Sequence, residues 1–214
     1  MKVGILGSGD VAKALGNGFI AAGHSVRLGS RTPESDGLVA WKKAAGAPGS
    51  TGSFADTAQW GELLVLATRG VEIASTLQLA GAKHFAGKVV IDVTNPLVMT
   101  PNAPPTLSVG FNDSAGESVQ RLLPDAKVVK AFNSVGNPLM YRPKLPGGPP
   151  TMFYCGNDAG AKKKVAEILT TFGWASIDVG GIASSRFLEP LCLLWVTSAM
   201  QLGNWNIAFK VLQQ

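Results

Sequence analysis

Val3-Gly4-Ile5-Leu6-Gly7-Ser8-Gly9-Asp10-Val11-Ala12 decides the fold. An apolar run of strand type leads without a break into G-x-G-x-x-A, and a helical pattern follows at once. Val11, Ala14, Leu15, Gly18, Phe19 and Ala22 fall on one helical face, and Gly23 supplies a C-terminal stop. In such a turn Gly7 permits the sharp reversal. Gly9 leaves the backbone bare for a pyrophosphate, and Ala12 lets the helix lie close on the sheet. Ser8, Asp10 and Val11 complete the turn, whose free N–H groups attract an anion. A plain strand–helix turn is the competing reading, and the strand before and helix after weigh against it.

The end of the second strand separates the two nicotinamide cofactors. An NAD site carries an acid about 20 residues after the glycines. Here the chain reads Leu28-Gly29-Ser30-Arg31-Thr32-Pro33, with no acid before Glu34. Ser30 and Thr32 can donate to a phosphate, and Arg31 can meet a 2′-phosphate while lying over an adenine. The expected cofactor is therefore NADP(H). Ligands of parallel sheets bind outside the carboxyl ends of the strands. The later strand ends, Ala67-Thr68-Arg69 and Thr94-Asn95-Pro96, are thus expected to line the same cleft. Ordinary turn chemistry is the alternative for Asn95-Pro96.

Strand patterns over residues 2–6, 25–28, 63–67, 88–93, 127–132, 152–155 and 176–179 alternate with helical patterns over 11–22, 38–45, 71–79, 115–122 and 159–172. A weaker strand is expected near 52–54, and a final helix over 184–212. Strand-helix alternation predicts an α/β fold, a Rossmann-type doubly wound parallel sheet with a small C-terminal helical extension. Residues 1–150 are expected to form the NADP-binding domain. Residues 151–214 are expected to form a small C-terminal segment carrying the acceptor site and the dimer contact. The proline-rich stretch 138–150 excludes helix and inner strand, and a second proline-rich stretch covers 95–105.

Among 214 residues, 46% are hydrophobic and 15% charged, which excludes a disordered chain. The low charge and the apolar last helix point to a subunit interface. Two cysteines, Cys155 and Cys192, cannot build a disulfide scaffold or a zinc site, and no metal site is expected. The net charge of +5 suits an anionic small ligand, and no aromatic interleaving of basic residues supports nucleic-acid binding. No secretory leader pattern or membrane-length apolar run is read, so the expectation is a cytoplasmic protein without a membrane partner.

The stretch 3–16, then Ala22-Gly23-His24-Ser25-Val26 and Gly29-Ser30-Arg31, resembles the NADP-dependent coenzyme F420 reductases, a family that also includes the cytosolic domain of the six-transmembrane iron and copper reductases. Ser184-Ser185-Arg186-Phe187-Leu188-Glu189 and the apolar helix after it look like the family's C-terminal segment. The resemblance implies a homodimer joined by that helix. It implies hydride transfer between NADPH and coenzyme F420, a flavin or a similar planar acceptor, with a metal chelate as the alternative acceptor. It places Ser8, Ser30, Arg31 and Thr32 on the phosphates and Val11, Ala67, Thr68 and Asn95 along the cofactor. It sets the acceptor against Phe132, Asn133, Gly181 and Ile182. The proline-rich stretches depart from the archaeal F420 enzymes.

Hydride transfer between two rings is chiefly positioning, and no catalytic acid–base residue is identified. The absence of one in the tail disfavours a dehydrogenase of small carbonyl compounds. A non-enzymatic NADP(H) sensor is the rival from another class. The two differ in whether the space over the nicotinamide is open or filled by Tyr141 and its loop.

Overall fold

The computed structural model describes residues 1–101 and 103–212. Its centre is β1 (Lys2–Leu6), in which Val3, Ile5 and Leu6 are fully buried, as a strand covered on both faces requires. The chain continues through α1 (Asp10–Ala21), β2 (Ser25–Gly29), α2 (Asp36–Ala45), β3 (Gly49–Gly52), α3 (Phe54–Trp60), β4 (Leu63–Leu66), α4 (Ile73–Ala80) and β5 (Val89–Asp92). Beyond these come β6 (Leu97–Val98), β7 (Thr106–Leu107), α5 (Ala115–Leu122), β8 (Lys127–Lys130), β9 (Thr151–Gly156), α6 (Ala159–Thr171), β10 (Ala175–Asp178) and α7 (Ser185–Leu202).

Eight strands form one sheet in the order β10-β9-β8-β5-β4-β1-β2-β3. The six from β8 to β3 are parallel, which is the expected doubly wound Rossmann arrangement. β9 then runs antiparallel to β8, and β10 runs parallel to β9. One face packs Leu15, Phe19, Trp41, Val165 and Phe172 over the sheet, and the other packs Phe54, Leu77, Phe85 and Val119.

Two sequence expectations need correction. The weak strand near 52–54 lies earlier, in β3, and Ser53 instead opens α3. Its hydroxyl accepts from Asp56 N at 3.1 Å while its own N–H donates to the Asp56 carboxylate at 3.3 Å. This reciprocal capping box outweighs the strand propensity. The final helix stops at Leu202, because Gly203 takes a left-handed φ of 59° and closes it. The tail after it folds back, with Thr151 N donating to Phe209 O at 2.8 Å and Trp195 Nε1 donating to Ile207 O at 2.8 Å. Within the proline-rich stretch 95–105, Leu97–Val98 forms β6, which pairs antiparallel with β7 outside the main sheet, Leu97 opposite Leu107.

Gly7 is required for a sharper reason than the turn. Its φ is 150°, and a Cβ there would overlap the Ala67 carbonyl oxygen on β4's continuation. Gly7→Ala is expected to lower stability by about 2–4 kcal/mol, the sum of overpacking and backbone strain. A urea denaturation midpoint close to that of the parent protein would contradict this.

Candidate functional site

A cleft runs across the carboxyl ends of β2, β1, β4 and β5. Its first half, about 260 Å³, is lined by Gly7, Ser8, Gly9, Ser30, Arg31, Thr32, Ala67, Thr68 and Arg69. Its second half, about 690 Å³, shares Gly9, Ala67, Thr68 and Arg69 with the first and adds Asp10, Val11, Val93, Thr94, Asn95, Leu97, Met99 and Asn137. The expected cofactor-binding residues are therefore brought together, with the exception of Pro96. Pro96 is buried, and its carbonyl accepts from Ser108 N at 2.8 Å.

The residues fit a dinucleotide. A Cβ at Gly9 would meet no atom within 4 Å, so the backbone there faces open space. Gly9 is also the N-cap of α1 and offers no side-chain cap, leaving first-turn N–H groups free for an anion. Ser30 Oγ accepts from Thr32 N at 3.1 Å, which folds the second loop back beside Arg31. Thr68 Oγ1 is buried without a protein partner, at the junction of the two halves.

Sequence reading missed the opposite wall. Glu72, Ser75, Thr76 and Leu79 line the first half at spacings of three, one and three. This is one face of the segment that runs from the short turn 70–72 into α4, and the polar spacing was available as a signal. Glu72 touches both arginines: Oε1 pairs with Arg69, and Oε2 lies 3.9 Å from Arg31. The hydrogen bond from Arg69, helped by the two positive charges, holds the Glu72 carboxyl below the usual range. Gly70 has no room for a Cβ, which would overlap the Asn95 carbonyl.

The far end of the cleft rests on a buried cation. Lys130 Nζ donates to Asp92 Oδ2 at 2.8 Å, to the Thr94 carbonyl at 2.9 Å and lies 3.0 Å from Glu189 Oε1 on α7. All three of its donors are used. Burial by itself pushes the Lys130 pKa down, but Asp92 and Glu189 together hold it above the ordinary lysine value. Asp92 Oδ1 also accepts from Thr94 N at 3.0 Å and Thr94 Oγ1 at 2.6 Å, which closes a tight turn after β5. Glu189 in turn accepts from Ala115 N and Gly116 N, both at 3.0 Å, at the start of α5.

Asn95 and Asn133 exchange hydrogen bonds beside this cluster. Asn95 Nδ2 donates to Asn133 O at 2.8 Å, and Asn133 Nδ2 donates to Asn95 Oδ1 at 3.0 Å and to Leu188 O at 2.7 Å. The expected acceptor residues are thus divided. Asn133 supports the cleft wall from behind, through Asn95. Phe132 is 1% exposed and packs on Phe172 with ring centroids 5.7 Å apart, so its ring belongs to the core. Its backbone is left-handed, φ 61°, a strained state for a bulky residue that turns the chain toward Asn95. Gly181 and Ile182 follow β10, which runs against β8; Gly180 O accepts from Gly156 N, opposite Val129, and Ile182 O lies 3.9 Å from Cys155 Sγ, opposite Lys130, and neither residue lines the cleft. The direction of the last two strands, unread in the sequence, turns their exit away from it.

Tyr141 packs edge-on against Phe172 at 5.0 Å and beside Gly18, away from the second cavity. The space over Thr94 and Asn95 is open. Both cysteines are buried, and burial pushes the Cys192 thiol up to about 12 and the Cys155 thiol above its ordinary value. Among the described residues no cluster of three His, Cys, Asp or Glu is placed to hold a metal, and no helix is long and apolar enough to cross a membrane.

Residues 2–96 match the family described as NADP oxidoreductase, coenzyme F420-dependent. An F420-dependent NADP reductase of Methanocaldococcus jannaschii is 30% identical over 92% of this chain and 91% of its own. The metalloreductase STEAP3 of Rattus norvegicus is 32% identical over 90% of this chain, which spans only 37% of that longer protein. A crystal structure from Arthrobacter sp. FB24, of a protein proposed to be an F420-dependent NADP reductase, superposes with a TM-score of 0.94 at 36% identity and covers both chains fully.

Two measurements check this geometry. Lys130→Ala leaves two buried carboxylates without their cation and is expected to cost about 3–5 kcal/mol in chemical denaturation. Thiol reagents at pH 8 are expected to leave Cys155 and Cys192 unmodified until denaturant is added, and rapid labelling of the native protein would contradict their burial.

Proposed function

We propose that this chain, which belongs to the coenzyme F420-dependent NADP oxidoreductase family, passes hydride between NADPH and coenzyme F420 or a closely similar planar flavin-type acceptor. The observation that carries the acceptor reading is the open cavity of about 690 Å³ beside Thr94 and Asn95, continuous with the nucleotide half of the cleft. Leu97, Met99, Val71 and Val93 give it apolar walls suited to a flat ring, and Thr94, Asn95 and Asn137 give it polar points. A sensor would have this space filled; Tyr141, the side chain that would fill it, is packed elsewhere. The metalloreductases are longer proteins, and reduction of metal is no part of this reading.

The cofactor supplies the hydride, and the chain supplies placement. The bare Gly9 backbone and the start of α1 would hold the pyrophosphate. Ser30, Arg31, Thr32 and Arg69 would hold the 2′-phosphate, with Thr68 Oγ1 free to bond the cofactor at the bend. Asn95, locked by Asn133, and Thr94, locked by Asp92, would fix the reacting end without reorganising. Apolar Leu97 and Val71 would keep water off the transfer path.

The working unit in this reading is a soluble cytoplasmic homodimer without membrane or nucleic-acid partners. Phe187, Leu194 and Leu202 of α7 are exposed large hydrophobics on one face of the helix, while its other face is buried. A second copy covering that stripe suits such an exposed apolar face. Sedimentation is expected to give a dimer, and Leu194→Glu to shift it toward monomer.

Purified protein, offered F420, FMN, FAD and ferric chelates in parallel under anaerobic conditions, is expected to oxidise NADPH with F420 or a flavin. Turnover only with ferric chelates would overturn the acceptor reading. Arg31→Ala is expected to weaken NADPH binding by about 1.5–3 kcal/mol and leave NADH almost unchanged. Equal losses for both cofactors would remove the 2′-phosphate from this pocket.

A further inference from the structure

The nucleotide half of the cleft holds two guanidiniums and one carboxylate facing each other across the same space. Arg31 comes from the loop after β2 and Arg69 from the loop after β4, and their side chains are 68% and 78% exposed. Glu72 stands on the α4 side of that space and is only 27% exposed. It presents one oxygen to each arginine. Its backbone is tied down, with Glu72 N donating to Arg69 O at 2.9 Å and Ser75 Oγ donating to Glu72 O at 2.9 Å. The anion is therefore the fixed member of the trio, and the two cations are the long, exposed, adjustable ones.

We infer that Glu72 is a specificity-determining placeholder: its carboxylate occupies the station between Arg31 and Arg69 that a 2′-phosphate claims, and NADPH binds by displacing it from them. This rests on the reading of the pocket as a 2′-phosphate site. A phosphate monoester carries more charge and more acceptor oxygens than a carboxylate, so it wins both guanidiniums when it arrives on a dinucleotide already anchored at Gly9. A free anion has no such anchor. It must break two ion pairs and sit against a fixed negative charge, so the placeholder screens the pocket against simple phosphates. It also weakens the grip on NADPH and NADP⁺ alike, which favours release in a turnover cycle. NADH, with a 2′-hydroxyl, gains nothing from the two arginines and is indifferent to the competition.

The sign is what distinguishes this role from that of an ordinary supporting residue. A carboxylate that merely orients the arginines would be missed on removal, and NADPH would bind more weakly. A placeholder that is removed lets NADPH bind more tightly. Glu72→Gln keeps the shape and removes the charge, at a site exposed enough to leave the fold intact.

The test is titration of the nicotinamide fluorescence of NADPH and NADH against the parent protein, Glu72→Gln and Arg31→Ala, with inorganic phosphate as competitor. Glu72→Gln is expected to lower the NADPH Kd about three- to tenfold, the worth of one or two exposed ion pairs. NADH should stay within twofold, and inorganic phosphate should compete with NADPH at concentrations that the parent protein ignores. An unchanged or raised NADPH Kd in Glu72→Gln would overturn the placeholder while leaving the phosphate site standing, provided Arg31→Ala still loses NADPH selectively. If Arg31→Ala also leaves NADPH unchanged, the pocket reading and the placeholder fall together.

Discussion

One buried ammonium group organises the far end of the cleft. Lys130 lies at the carboxyl end of β8, fully enclosed, and its three donors reach β5, the loop after β5, and α7. Two carboxylates around one cation leave an excess negative charge. The paired N–H groups at the start of α5, which bond to Glu189, lie where they offset it. A buried charge cluster is tolerable only when every member is satisfied, because a half-satisfied one costs more than an apolar core. That requirement fixes the distances among four elements. With Asp92 held, Thr94 is held; with α7 held, Leu188 O can receive Asn133, and Asn133 in turn fixes Asn95.

The two halves of the cleft are built on different terms. The nucleotide half uses backbone and short polar side chains at the ends of central parallel strands, where the sheet leaves little freedom. The family match, residues 2–96, covers that half and ends where β6 begins. The second half takes Leu97 and Met99 from β6 and its loop and Asn137 from the turn after β8, outside the matched stretch. Behind β6 stand Cys192, Trp195 and Val196 of α7 and Ile207 and Phe209 of the folded-back tail. Loops carried on a rigid scaffold are where binding preferences diverge. The matched stretch is thereby the shared sheet, and the second half of the cleft is walled by segments that pack on α7.

Local chemistry made the first half legible. Gly7-Ser8-Gly9 and Ser30-Arg31-Thr32 stand out through residue types that few other settings require, at a spacing set by one strand–helix–strand unit, and they meet in one cleft. Glu72 was harder, because its meaning depends on Arg31 lying across the cleft, some forty positions away in the chain. Lys130 was harder still. In the run Lys127-Val128-Val129-Lys130 nothing distinguishes the exposed lysine from the buried one; Lys127 reaches Asp158 at the surface, and only tertiary partners reveal the other.

The reversal of β9 had a signal in the sequence that strand counting overlooks. Parallel neighbours need a crossover of a dozen or more residues, usually a helix. Every parallel pair from β1 to β8 has a helix available between its members. Between β8 and β9 the chain contains Pro138, Pro143, Pro146, Pro149 and Pro150 and forms only a short turn at Asn137–Leu139. With no crossover helix, the chain returns beside β8 in the opposite direction. β10, reached through α6, is then parallel to β9, and its exit at Gly181 and Ile182 turns away from the cleft. The proline content that excludes a helix thus also dictates where α7 begins. α7 starts with Ser185 Oγ 3.4 Å from Cys155 Sγ, opposite Lys130, so that its first turns place Glu189 against the ammonium group and its middle places Trp195 beside Leu97.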